Sequence, residues 1–293
     1  MYKLFMNFEN PTEELTGIKQ SVQGFSVYKN YGVILYHTGI GAVYNLETRD
    51  KKPVGTFYLG SYNKGTPDNR YTNHANDVMF GGFMDGEEFP LMYVTAGNSG
   101  ESDDMGFIAY CAVEQLRYKN GEYTSETIQR IYYKNDGIEN TAFLSPGWGW
   151  PASLVDIKGG YYYMFSAKYR TRRDLARDDN IYIVTKFCLP NPKDGDVTLY
   201  PKDIVDQFTL PFNVFFTQGG TIYDGKLYYT FGLGNEEHPD ALRVINLKTK
   251  DYELLEDLSK TPFGDDEIEC CGFYNGRLLI NTQHGNIYER EEF

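Results

Sequence analysis

Three carboxylates in this chain stand where a reaction could use them. Asp77 follows His74 by three residues, Asp156 follows Ser153 by three, and Glu269 opens the stretch ECCGFYNGRLL. Cleavage of a glycosidic bond generally takes a pair of such groups, one a protonated acid and one a base or nucleophile, on opposite sides of the bond. Around them stand side chains suited to holding a hydroxyl-rich molecule. Gln23, Gln218 and Asn76 carry amides that both donate and accept, His74 and His284 offer imidazoles, and Trp148 and Trp150 offer ring faces that stack on a sugar.

What must position these groups is legible in a repeat. Gln218 to Gly232 reads QGGTIYDGKLYYTFG, two aromatic runs hinged on Asp224-Gly225, a pair suited to a type I′ hairpin. Gln23 to Gly39, QGFSVYKNYGVILYHTG, repeats the opening Gln-Gly, the Tyr five residues on, a Gly turn at Tyr31-Gly32 and the closing Gly. Glu269 to Gly285, ECCGFYNGRLLINTQHG, places Tyr274, Asn275-Gly276 and Gly285 likewise. After QGFSVYKN come VILYHTG, GAVYNLET and PVGTFYLG, a four-stranded meander of about 38 residues, within the usual size of a propeller repeat.

The chain therefore resembles the β-propeller superfamily, and the expected fold is all-β, one domain over residues 1–293, with five blades. Blade two runs from HANDVMFGG to TIQRIYYK, blade three from PASLVDIKGG to a strand around Val205 to Leu210, and blade four continues the first repeat with ALRVINLKT and YELLEDL. The last blade shows only three strands, while Tyr2 to Glu9, YKLFMNFE, is a strand without a neighbour. The N-terminal strand is thus expected to close the ring by pairing with the last blade. A sixth blade would need an inner strand in Asp136 to Leu144, which is short and poorly patterned, and a β-sandwich would make the repeat accidental.

A meander alternates ends, so the turns sort into two faces. Asp224-Gly225, Asn275-Gly276, Lys158-Gly159-Gly160, Leu247 to Thr249 and Cys188 to Asp196 fall on one face, mostly as tight or hydrophilic turns. On the other fall His37 to Gly39, Gly97 to Gly106, Ala167 to Asp179, Gly232 to Asp240, Gln283 to Gly285 and the connections between blades, with all four His and both Trp. Long loops are costly to order and more often functional than tight ones, which makes the funnel on this face the candidate site. Gln23, His74, Asn76, Trp150, Ser153, Gln218 and Glu269 start its inner strands. The plainer alternatives are that Gln23 and Gln218 tie blades together through backbone groups, that the Trp residues pack under their Pro-Gly loop, and that His74 is structural.

Two Asp and one Glu on inner strands also resemble the catalytic set of five-bladed furanosidase propellers, a likeness of architecture without a contiguous motif. It implies catalytic roles for Asp77, Asp156 and Glu269 if the protein is an enzyme, provided that Asp77 and Asp156 sit at similar depth and face the channel. A binding module for a carbohydrate or other polyol needs only the amides and aromatics, and a scaffold for protein partners would use the wide loop face alone.

Composition narrows the partners. A net charge of −13 and a pI near 4.8 speak against nucleic acid, which is gripped by clustered Lys and Arg, and favour neutral or cationic ligands. No apolar run approaches the roughly 18 residues of a membrane span, and Met1 to Leu15 lacks the pattern of a signal peptide, though a leader removed before Met1 is compatible with it. Four cysteines, two of them adjacent, read as small core residues rather than as a disulfide framework. No cofactor or metal is expected: there is no phosphate loop, nucleophile elbow or zinc motif. Asp103-Asp104 with Glu101, and Asp178-Asp179 with Asn180, match no calcium-loop spacing and read as solvated acids. Arg170, Arg172, Arg173 and Arg177 form a basic cluster that reads as pairing with the acidic loops. Oligomeric state and compartment leave no trace in the sequence.

Overall fold

The computed structural model describes residues 1–62, 72, 74–95, 109–135, 143–144, 153–168, 181–210, 217–260 and 262–291. After β1 (Tyr2–Asn7) and a short helix (Thr12–Thr16), blade one comprises β2 (Val22–Tyr28), β3 (Tyr31–Tyr36), β4 (Ile40–Asn45) and β5 (Gly55–Tyr58). Blade two holds β6 (Asp77–Phe80), β7 (Leu91–Thr95), β8 (Ala109–Lys119) and β9 (Glu122–Tyr133). Blade three has β10 (Ser153–Asp156), β11 (Tyr161–Ala167), β12 (Tyr182–Cys188) and β14 (Ile204–Leu210), with β13 (Val197–Leu199) between the last two in the chain but outside their sheet. Blade four is β15 (Thr217–Tyr223), β16 (Lys226–Phe231), β17 (Ala241–Asn246) and β18 (Tyr252–Asp257). Blade five is β19 (Ile268–Tyr274), β20 (Arg277–Thr282) and β21 (Asn286–Arg290).

These strands form five sheets, and the inner strands pack in a ring, β2 on β6, β6 on β10, β10 on β15, β15 on β19 and β19 back on β2. The fold is a five-bladed β-propeller. β1 closes it as expected, running antiparallel to β21 with Tyr2 opposite Arg290 and Asn7 opposite Asn286. The turns follow their local chemistry: Asp224 and Gly225 have φ of 47° and 72°, Asn275 and Gly276 of 51° and 77°, the left-handed pair of a type I′ hairpin. Blade one turns earlier than Tyr31-Gly32, at Lys29-Asn30, where Lys29 takes the positive φ of 51°.

Two departures from expectation are instructive. Blade two has a fifth strand, because β13, from the segment between β12 and β14, lies parallel on β9 with Val197 opposite Ile131. Cys111, Cys270 and Cys271 are buried, whereas Cys188 is exposed at the end of β12 and is not a core residue.

Aromatic rings fill the wedges between blades. Phe165 of blade three stacks on Tyr229 of blade four with centroids 4.8 Å apart, and Tyr223 of blade four stacks on Phe273 of blade five at 3.9 Å. Full burial of such a side chain contributes about 1.5–3 kcal/mol. Blades one and two are clasped by a buried carboxylate: Glu114 on β8 accepts from the backbone N–H groups of Gly60 and Ser61 and from the hydroxyls of Ser125 and Thr127, at 2.7–3.1 Å.

The centre of the ring is filled. Asp77 on β6 reaches across the axis, accepting from Gly220 N of blade four at 3.2 Å and lying 3.0 Å from Cys270 Sγ of blade five. Only glycine fits opposite, since a Cβ at Gly219 would stand 2.5 Å from the Cys270 sulfur. At this depth side chains occupy the axis, and the funnel ends above them.

Candidate functional site

The residues singled out from the sequence divide into three places. At the floor of the loop-rich mouth, amides tie blades together, but through different side chains than expected. Asn76 Nδ2 donates to Gln218 O at 2.9 Å, joining blade two to blade four, and Asn281 Nδ2 donates to Gln23 O at 3.0 Å, joining blade five to blade one. The tie at Gln23 and Gln218 thus runs through their backbone carbonyls. Gln23 keeps a buried side-chain oxygen without a partner. Beside them the half-buried His74 packs edge-on against His37 with ring centroids 4.5 Å apart. Burial and the neighbouring imidazole lower its pKa to about 3, so the ring is neutral at physiological pH.

The second place is the junction of blades four and five, where the mouth is lined by acids. Gln218 donates its Nε2 to Gly232 O at 2.8 Å and to Glu267 Oε1 at 2.6 Å, and Gln283 Nε2 donates to the other Glu267 oxygen at 3.1 Å. Asp266 is held from the β20–β21 turn: Thr282 Oγ1 and Asn286 Nδ2 donate to Oδ2, while the His284 backbone N–H donates to Oδ1. The His284 ring, two-thirds exposed, sits with Nδ1 2.7 Å from the same Oδ1. Asp240, at the end of the β16–β17 loop, accepts from Gly234 N at 2.9 Å.

Glu269 lies innermost, 1% exposed, with Oε1 unpartnered. Burial first, and then the charges of Glu267, Asp266 and Asp240, push its carboxyl well above the usual range. Burial also raises Glu267, against the hydrogen bond from Gln218, and raises Asp240 to about 7. Raised carboxyls gathered in one cluster on this face make it the candidate site.

Asp77 and Asp156 are elsewhere. Asp77 is fully buried among protein atoms and raised to about 7 by that burial, partly offset by bonds from Cys270 and the Gly220 and Val78 amides. Asp156 ends β10 on the opposite face, where Oδ1 accepts from Gly159 N at 2.9 Å in the turn to β11. The expected equal depth of Asp77 and Asp156 is therefore wrong: β6 and β10 are each four residues long, but Asp77 is the first residue of its strand and Asp156 the last of its own. Asp156 instead borders a cavity of about 610 Å³ whose walls are Met79, Val155, Ile222 and Tyr223. Ser153 is buried with its hydroxyl 2.9 Å from that of Tyr162.

Trp148, Trp150, the Arg170 to Arg177 cluster and both acidic loop pairs lie outside the described residues. Among those described, no three His, Cys, Asp or Glu side chains are placed to hold a metal ion, and no helix is long and apolar enough to cross a membrane. Asp240, Asp266 and Glu267 went unrecognised in the sequence, although GDDEIE, the acidic run entering β19, carries two of them.

No protein-family model matches the chain, and no curated protein matches it in sequence. Among solved structures it is similar over 99% of its length to the tail fiber of Staphylococcus aureus phage P68, with a TM-score of 0.50 and 9% identity, spanning 52% of that chain. It is also similar over 98% of its length to the glutaminyl cyclase of Myxococcus xanthus, with a TM-score of 0.49 and 12% identity, covering 94% of that chain. At such identities the resemblance is one of fold alone.

Proposed function

We propose that this propeller binds a hydroxyl-rich small molecule, a carbohydrate or other polyol, at the mouth between blades four and five on the loop-rich face. The observation that supports it is the hydrogen-bonded Gln218–Glu267–Gln283 chain, half-buried at Glu267 and Gln283 and standing beside the buried Glu269. A sugar hydroxyl both donates and accepts, and amides beside carboxyls offer it both partners. Each such contact contributes about 0.5–1.5 kcal/mol, so a few together give affinity of about millimolar order.

A hydrolytic reading built on Asp77, Asp156 and Glu269 draws no support from the geometry, because Asp77 is sealed in the axis and Asp156 caps a turn on the far side. Glycan-array screening followed by calorimetry tests the binding reading. Gln218→Ala is expected to weaken the bound glycan about tenfold, the equivalent of one lost polar contact. A wild type that holds no sugar, or a Gln218→Ala variant that binds as well, would refute it.

A further inference from the structure

Two acid oxygens at the blade four–five junction lack a donor, Glu269 Oε1 and Asp240 Oδ2, whereas Asp266 and Glu267 are supplied with donors. Glu269 Oε1 is buried without a hydrogen bond, and the strongest charges acting on its carboxyl are those of Glu267, Asp266 and Asp240. Among the charged groups acting on Glu267 the one base is His284, two-thirds exposed and already bound to Asp266. A buried acceptor left unsatisfied costs about 1–3 kcal/mol, more if charged, so this arrangement is poor as pure architecture. It is complementary to something that brings donors and positive charge.

The form of the deficit narrows the donor. A calcium ion needs six to eight oxygens converging on one point, and the described residues hold no such set. A guanidinium fork wants two parallel acceptors on one carboxylate, and the unpartnered oxygens of the cluster, Glu269 Oε1 and Asp240 Oδ2, belong to different residues. A primary ammonium is compact, carries three rotatable donors and no acceptor, and suits a single buried oxygen flanked by further carboxyls. In the same cluster Glu267 and Gln283 are half-buried and His284 is exposed, while Glu269 itself is 1% exposed.

We propose that the ligand carries a primary amine, so that an amino sugar or similar hydroxylated amine seats its ammonium on Glu269 and its hydroxyls on Gln218, Glu267 and Gln283. This rests on the polyol reading above and sharpens it.

The test uses the full chain and free glucosamine, galactosamine and mannosamine beside glucose, galactose, mannose and ethylamine, titrated by calorimetry or NMR at low salt. At least one amino sugar is expected to bind ten times or more tightly than its parent sugar. Glu269→Gln should erase that difference while leaving the melting temperature intact; if that variant does not fold, Glu267→Gln at the half-buried mouth should shrink it. Equal binding of a sugar and its amino derivative would overturn the ammonium seat and leave the polyol site standing. Ethylamine binding without any sugar would support the seat and sink the polyol reading. No binding by any of the seven compounds would overturn the proposal.

Discussion

Glu114 and Glu269 are both buried glutamates in one ring, and their surroundings are opposite. Glu114, between blades one and two, receives four donors, two from backbone and two from hydroxyls. Glu269, between blades four and five, leaves an oxygen unpartnered and faces three other acids. The first is what a structural carboxylate looks like, with its desolvation offset inside the protein. The second leaves that offset to be supplied by something else, and it does so on the face where the loops gather.

The largest effect concerns the frame that holds Glu269. β1 is the outer strand of its blade, so deleting residues 1–9 uncovers β21 as a sheet edge. Loss of cooperative unfolding, or aggregation, is expected on thermal melting. An unchanged melting temperature would mean that β1 does not close the ring.

Asp77 sharpens the contrast from a third position, a buried acid sealed at the axis. Its folded-state pKa of about 7 lies above the ordinary 3.8, so its stabilising contribution is complete below about pH 4 and is lost as pH rises through about 7. At most, on the order of 4 kcal/mol is involved, since each pKa unit corresponds to about 1.4 kcal/mol. Urea unfolding across pH 4–8 should show wild-type stability falling relative to Asp77→Asn, and parallel curves for the two would contradict the assignment.

Glu114→Ala strands the buried Ser61 N–H and three further donors, with an expected loss of about 3 kcal/mol. A loss under about 1 kcal/mol would erase the distinction between the two glutamates. Glu269→Gln, by contrast, hands an amide to neighbouring acceptors and removes a charge that is costly to form, so its stability at pH 8 should match or exceed that of the wild type by up to about 1 kcal/mol. A clear destabilisation there would make Glu269 structural too.

The hairpins at Asp224-Gly225 and Asn275-Gly276 were legible in the sequence because a type I′ turn is decided by two adjacent residues. Closure by β1 was legible by counting strands. β13 was not: three residues joining a neighbouring blade in parallel leave no alternating pattern of their own. At the site, Gln218 and Glu269 were found through the repeat, since it marks where inner strands begin. Asp240 and Asp266 were missed because they meet only when loops of two different blades lean together. Asp156 was misplaced because sequence spacing does not reveal that β6 begins at Asp77 whereas β10 ends at Asp156.

The most direct measurement of the central claim is carbon-13 NMR of the glutamate carboxyls, with Glu269 assigned through Glu269→Gln, recorded at pH 6 with and without saturating amino sugar. The carboxyl resonance of Glu269 should move toward the ionised position when the ligand binds, while that of Glu114 stays where it was. A Glu269 resonance unmoved by a bound amino sugar would contradict the assignment of this carboxyl as the ligand's seat.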